Sequence, residues 1–210
     1  PSSSSPAICR TSPPPWPLSK RLLRTNNGGL ALFLKEKEPK ELLIKEDSND
    51  FWFGQIIKRK KDNPLMDRAE RIIKSYNFSS HDKLLDRMDE IMSICEYNNA
   101  RFYLNPNIRN IKLCNIRLIQ SLMQSIADES YSSIYSKVDS VLGKTTTPGR
   151  TKWWIVDIDE KNPDLLNNLK DAIDFSNNKT SFVLETLNGY HIICEPFNRK
   201  EIVYNDVKIN

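Results

Sequence analysis

Two aspartates separated by one residue directly follow an apolar run in the last third of the chain. The run is Trp153–Val156, and the acids are Asp157 and Asp159. Residues two apart in an extended strand point to the same side, so both carboxylates should face one way. Like charges at the end of a buried strand repel each other, and a hard cation bound by carboxylate oxygens offsets that repulsion. The pattern predicts an Mg²⁺ or Mn²⁺ site at Asp157 and Asp159. The alternative is two acids on a solvated strand end.

A histidine follows soon after a strong hairpin signal. The chain has two histidines, and His191 lies two residues past Gly189 of the Asn188-Gly189 pair. Such a pair between apolar runs predicts a tight turn between two strands. An imidazole on a strand of the same sheet could contact a phosphate oxygen or bind a metal. The alternative is a histidine that is packed and hydrogen-bonded within the sheet.

Basic residues suggest where an anionic partner could bind. The net charge is +4, a mild basic excess that suits an anion without requiring one. A guanidinium beside the Asn-Pro-Asn turn at Asn105 would sit at a strand-to-helix junction, where phosphates are often bound. Solvated surface residues are the alternative for all of these cations. The predicted nucleic-acid- and phosphate-binding residues are Arg101, Arg109, Lys58, Arg59, Lys60, Lys61 and Arg199.

Other motifs exclude several classes of protein. Gly143-Lys144-Thr145 lacks the first glycine of a phosphate-binding loop, because Val138 stands there. There is no G-x-S-x-G and no G-x-G-x-x-G, so hydrolase triads and dinucleotide sites are disfavoured. None of the four cysteines forms a C-x-x-C pair. Buried, reduced thiols in a cytoplasmic protein are therefore expected. No membrane span and no signal peptide are predicted.

The elements that must position these residues are those of an α/β (α+β) protein. A disordered Ser/Pro-rich tail is predicted for residues 1–30 and one domain for residues 31–210, with the core motifs at 100–200. A strand or hairpin is expected after residue 30, and another strand before Asn63-Pro64. Helices are predicted over Met66–Tyr76, from Ser80, which can cap it, to Cys95, and over Arg109–Asp128. The core side predicted for the last of these helices consists of Ile111, Leu118, Leu122, Met123 and Ile126. A further helix should begin at Pro163 with Asn162 as its cap. Strands are predicted at Arg101–Leu104, before Asp157 and on both sides of Asn188-Gly189, and a loop over 129–150.

The combination resembles the catalytic core of the archaeo-eukaryotic primase (primase-polymerase) superfamily. The matching motifs are WIVDID and TLNGYHII, with His191 placed 32 positions after Asp159. The resemblance covers about residues 100 to 200 and implies a mixed sheet with an RRM-like catalytic core flanked by helices. It also implies that Asp157 and Asp159 bind catalytic Mg²⁺ or Mn²⁺ and that His191 contacts the triphosphate of the incoming nucleotide. The family carries a third acid on a later strand. Here Asp206 is the acid nearest the end, so either the chain is truncated or that ligand is absent.

Three functions remain open at this stage. The first is a primase-polymerase-like nucleotidyltransferase, or its remnant, with DNA or RNA and a nucleoside triphosphate as partners. The second is a non-catalytic module that stacks single-stranded bases on Phe102, Tyr103, Trp153 and Trp154. The third is a phage structural or accessory protein with no small-molecule site, in the cytoplasm of the producing or infected cell. The chain from residue 51 also resembles small bacteriophage proteins. Convergence of the aspartates with His191 would favour the first, and exposed aromatic residues the second.

Overall fold

The computed structural model describes residues 49–131, 133–144, 147, 150–177, 181–186, 188–198 and 208–209. The predicted tail at 1–30, the strand or hairpin predicted between residue 30 and residue 48, and Arg199 lie outside the described residues.

The first sheet is built around one long strand. Strand β1 (Asp50–Arg59) pairs with β2 (Glu70–Phe78) along one edge. Its other edge pairs with β3 (Arg101–Leu104) and, nearer its start, with β4 (Arg109–Asn110). All these pairings are antiparallel. The predicted strand before Asn63 is confirmed, whereas the helix predicted over 66–76 is wrong, because most of that segment forms β2.

Two short helices pack on this sheet. Helix α1 (His81–Asp86) begins after Ser80, whose side chain accepts a hydrogen bond from the Lys83 amide. Helix α2 (Met88–Asn98) follows at once. The predicted Ser80 cap is confirmed, because a hydroxyl there satisfies an amide that the first turn leaves without a partner. Both helices contribute apolar side chains to the core of the first sheet: Leu84, Met88, Ile91 and Cys95.

Two further helices lie beside the start of β1. Helix α3 (Ile111–Ala127) begins after Asn110, whose side chain accepts from the Leu113 amide. Helix α4 (Ile134–Lys144) lies within the segment that was predicted to be a loop, so that prediction is wrong there. The core side predicted for α3 is also wrong in part, because Ile111, Met123 and Ile126 are exposed. Cys114 of α3 and Leu142 of α4 pack instead with Phe51 and Phe53 of β1.

The second sheet contains the remaining strands in the order β6-β7-β5-β8, all antiparallel. Helix α5 follows β5, and the side chain of Asn162 accepts hydrogen bonds from the Asp164 and Leu165 amides at its start. The predicted strand, helix and hairpin are therefore confirmed. Their bounds are β5 (Trp154–Ile158), α5 (Pro163–Asn177), β6 (Phe182–Glu185), β7 (Tyr190–Cys194) and β8 (Lys208–Ile209).

The second sheet is covered on its two faces by different parts of the molecule. Val156, Ile158 and Ile192 pack against Leu169 and Ile173 of α5. The opposite face joins the core of the first sheet through side chains on three of its strands and just before β5: Trp153, Ile155, Phe182, Leu184 and Ile193. Because side chains alternate along a strand, this second face is also the one that carries Asp157 and His191.

One asparagine holds the two sheets together at the start of β5. The side chain of Asn107 donates to the Trp153 carbonyl and accepts from the Trp153 amide, each at 2.8 Å. This two-point contact copies the hydrogen bonding of a strand neighbour and fixes where β5 begins. The arrangement of helices and antiparallel sheets confirms the α+β class, and every strand pair among the described residues is antiparallel rather than mixed.

Two further findings bear on the sequence predictions. Cys95, Cys114 and Cys194 are buried free thiols, as predicted, and burial raises the pKa of Cys95 and of Cys194 to about 12. Within the part of the chain that the structure describes, no helix has the length and apolar character needed to cross a membrane.

Candidate functional site

Asp157 and His191 face each other across the two central strands of the second sheet. They are direct partners in the β5–β7 register, and His191 Nε2 lies 3.1 Å from Asp157 Oδ1. The carboxylate side chain is 31% exposed and the imidazole 11% exposed. A buried histidine therefore contacts an acid that is partly exposed to solvent. The sequence suggested that these residues share a sheet, and the structure places them in direct contact.

Gly189 allows the β6–β7 hairpin to approach the end of β5. A Cβ atom on this residue would lie 1.8 Å from the carbonyl oxygen of Ile158 and 2.8 Å from the amide nitrogen of Glu160. Both distances are shorter than real contacts, so only glycine fits here. The Thr186 amide donates to the Gly189 carbonyl at 2.9 Å, and the Gly189 amide donates to Thr186 Oγ1. The hairpin is confirmed, and its glycine packs against the residues on either side of Asp159.

Asp159 follows the last residue of β5 and is exposed. It lies two residues after Asp157, so both acids are at the same end of the strand. Among the described residues, no group of three or more His, Cys, Asp and Glu side chains is arranged to bind a metal ion. The contact that defines the candidate site is thus between one acid, Asp157, and one imidazole, His191.

Arg109 is placed in the core rather than on a phosphate-accessible surface. It is 1% exposed, and its guanidinium lies over the Phe53 ring, 5.3 Å from the centroid. It donates to the carbonyls of Leu142, of Gly143 at 3.0 Å and of Asn107 at 2.6 Å. Burial lowers the pKa of Arg109 to about 10. Two of these carbonyls end α4, so Arg109 acts as a cationic cap of that helix.

Arg101 and Arg59 are engaged by neighbouring side chains. Arg101 donates to Asp62 Oδ1 at 2.5 Å. Arg59 donates to the Tyr103 hydroxyl at 3.1 Å and lies 3.6 Å from Glu70 Oε1. Hydrogen bonding to Tyr103 is the largest cause of a raised pKa for Arg59. These contacts hold the end of β1 against β3. The neighbouring Asn105 has a local role, because its side chain accepts from the Asn107 amide.

The predicted lysines lie where β1 runs into the turn toward β2. Lys58 is half-buried, and Lys60 and Lys61 are exposed. Arg68 and Arg71, at the start of the returning strand, are exposed on the same hairpin. Sequence reasoning missed these two arginines because it assigned residues 66–76 to a helix. The β-branched pair Ile72-Ile73 and the alternation of Tyr76 and Phe78 with the exposed Asn77 were the available signals for a strand.

The aromatic residues considered for base stacking are mostly used in packing. Phe102 and Trp153 are buried. Trp154 packs against Phe197 with ring centroids 5.6 Å apart, and the Tyr103 hydroxyl accepts from Arg59. An open sheet face lined with these rings, as in RNA-binding sheets, is thus not present among them.

No family model, no curated protein and no solved structure matches this chain. Functional inference therefore depends on the residues and their geometry.

Proposed function

We propose that the protein is a primase-polymerase-like nucleotidyltransferase, or an inactive remnant of one, with a divalent-metal site at Asp157 and Asp159. The observation that carries the proposal is the 3.1 Å contact between Asp157 Oδ1 and His191 Nε2 on neighbouring central strands. Of the three functions left open, only the first requires Asp157, Asp159 and His191 to converge, and this contact brings Asp157 and His191 together.

The topology of the second sheet supports the RRM-like part of the proposal. The chain runs β5, α5, β6, β7 and later β8, and β7 lies between β5 and β6. This is the split β-α-β arrangement in which an antiparallel strand is inserted between two parallel ones. The face opposite α5 carries Asp157 and His191, so the reactive side chains lie on the face that faces the first sheet.

The donor set fits a hard divalent cation. Mg²⁺ is commonly held by one or two carboxylates and completes its octahedron with water and substrate phosphates. Asp157 and Asp159 would supply the carboxylate oxygens. Bound there, the ion would polarise a phosphoryl oxygen and stabilise the charge that develops during phosphoryl transfer.

His191 would serve as the donor that orients the phosphates. Its contact with Asp157 fixes the ring plane, and its place on β7 is fixed by the hairpin that Gly189 closes against β5. When protonated, the imidazole can donate one hydrogen bond to the carboxylate and another to a phosphate oxygen. The fixed donor would limit the reorganisation needed when the substrate binds.

The test is nucleotide incorporation on a primed template with Mg²⁺ or Mn²⁺. We expect extension by the native chain and a loss of at least about 100-fold in Asp157→Asn/Asp159→Asn, because several kcal/mol of charge stabilisation would be removed. The matched control is Glu96→Gln/Asp171→Asn, which removes two exposed acids elsewhere. Calorimetry with Mn²⁺ should show binding by the native chain and the control but not by the site variant. Equal Mn²⁺ binding by all three would contradict the metal site.

A non-catalytic nucleic-acid-binding module is the second candidate. The exposed cations at the end of β1 favour it, whereas the burial of Phe102 and Trp153 removes its proposed stacking surface. Binding of nucleic acid without incorporation by the native chain, under both metals, would favour this candidate or the inactive remnant.

A further inference from the structure

The hairpin between β1 and β2, residues 58–71, has a strong excess of positive charge. It contains six cations and three acids. Glu70 is close to Arg59, and Asp62 is paired with Arg101 outside the hairpin. Asp67 is the one remaining acid of the hairpin. Five of its cations form no ion pair among the described residues: Lys58, Lys60, Lys61, Arg68 and Arg71. An anionic partner with repeated charges would match this cluster.

The tip of this hairpin is held rigidly, although it lies at the surface. The Lys60 amide donates to the Ala69 carbonyl at 2.8 Å, and the Met66 amide to the Asn63 carbonyl at 3.0 Å. Asn63 and Asn99 exchange further side-chain hydrogen bonds with the turn, including Asn99 Nδ2 to the Asp62 carbonyl at 2.8 Å. Asn99 adopts a left-handed conformation, with φ 46°, at the end of α2. The turn is therefore anchored to the protein body by hydrogen bonds of Asn63 and Asn99.

The residues that this rigid turn presents to solvent are apolar. Pro64 is exposed, and Leu65 is fully exposed, with a relative accessibility of 103%. Both occupy the central positions of the turn closed by the Met66–Asn63 hydrogen bond. Neither contributes to the core clusters. The tip therefore presents an apolar surface that the described core does not use.

We propose that the hairpin of residues 58–71 is a binding arm for duplex nucleic acid. Its five cations would contact backbone phosphates, and Pro64 and Leu65 would enter a groove against the base edges. A two-stranded ribbon fits the major groove of B-DNA, where apolar side chains can contact the thymine methyl groups. The inference rests on the proposed function only for the class of partner, a nucleic acid. Catalysis at Asp157 is not required for it.

The test measures binding of a 20-base-pair DNA duplex by the full chain, in EDTA and without nucleotide, over a series of salt concentrations. Each phosphate contact that is lost should reduce the slope of log affinity against log salt by about 0.9. Lys60→Ala/Lys61→Ala should therefore reduce the slope by about 1.8 and weaken low-salt binding roughly 10-fold. The control Lys112→Ala/Arg117→Ala removes two exposed cations of α3 and should change neither.

A second pair of variants tests the tip. Leu65→Ala should weaken duplex binding several-fold with an unchanged salt slope, because it removes an apolar contact and no charge. Phe175→Ala, at an equally exposed position on α5, is its control and should have no effect. The proposal is overturned if the hairpin variants bind the duplex as tightly as their controls do, or if the native chain binds no duplex. It is also overturned if one strand of this duplex, used alone, is bound more tightly than the duplex.

Failure of this proposal and failure of the proposed function give different results. A hairpin-dependent affinity together with no nucleotide incorporation would leave the arm standing and remove the enzyme. Incorporation that depends on Asp157 and Asp159, with hairpin variants binding duplex normally, would leave the enzyme and remove the arm.

Discussion

Charged residues are bonded differently around the two sheets. In the first, Arg109 donates to three carbonyls, and Asp50 accepts from Asn110 and lies 2.6 Å from Arg150. In the second, Asp157 and His191 contact each other, and the carboxylate is still accessible. Buried charges that neighbouring groups hydrogen-bond serve the fold, because removing one partner leaves the other buried without a hydrogen bond. Titratable groups that face each other beside solvent are candidates for chemistry.

Truncation of Arg109 should have the largest effect on stability. Arg109→Ala removes three hydrogen bonds, leaves the buried Leu142 carbonyl without this donor and opens a cavity beside Phe53. We expect the free energy of unfolding to fall by about 3–5 kcal/mol, measured by urea denaturation. Arg117→Ala, on the exposed side of α3, should change it by less than about 0.5 kcal/mol. Equal losses in the two variants would contradict the structural role.

Replacement of Gly189 should have the next largest effect, because its Cβ would overlap the Ile158 carbonyl. We expect Gly189→Ala to lower the free energy of unfolding by about 1–3 kcal/mol. The control is Gly143→Ala in α4, where a Cβ would meet nothing within 4 Å. That change should stabilise the protein by up to about 1 kcal/mol, because alanine favours helix. A neutral Gly189→Ala would mean that the hairpin is not packed against β5 as described.

Asp157→Asn should affect stability much less than Arg109→Ala. The pair between Asp157 and His191 is partly solvated, and such pairs contribute about 0–1 kcal/mol to the free energy of unfolding. Metal binding, in contrast, should be lost. If Asp157→Asn destabilised the protein as much as Arg109→Ala in the same urea experiment, Asp157 would have a structural role. The contrast between the two sheets would then not hold.

The smallest effect is expected at Glu90, and it should appear only at low pH. Hydrogen bonds from Lys74 and then Arg87 lower the pKa of Glu90 to about 2, from 4.5. A carboxyl whose pKa is lower in the folded state stabilises the fold above pH 4.5, and this contribution disappears as the pH falls toward 2. Glu90→Gln should therefore flatten the dependence of stability on pH in that interval. Parallel curves for the two proteins would show that Lys74 and Arg87 do not hold this carboxylate.

Local signals in the sequence predicted a good part of the fold. Asn162 and Pro163 set the start of α5, Ser80 caps α1, and Asn188-Gly189 marks the β6–β7 hairpin. Each signal acts within a few residues, so it can be read without the rest of the chain. The predictions failed for segments whose structure depends on residues that are distant in the sequence. Residues 70–78 form a strand only because β1 pairs with them, and α4 is fixed by packing on Phe51 and Phe53.

The candidate site divides in the same way. The sequence by itself determined which groups are available, namely two acids at the end of an apolar strand, a histidine after a hairpin and a basic run before Asn63-Pro64. Only the tertiary structure decided that Asp157 contacts His191 and that Arg109 is buried beneath α4. The physical reason is that strand register joins Asp157 to His191 and helix packing joins Arg109 to Gly143, and the members of each pair are 34 positions apart. Residue type and local spacing do not predict such contacts.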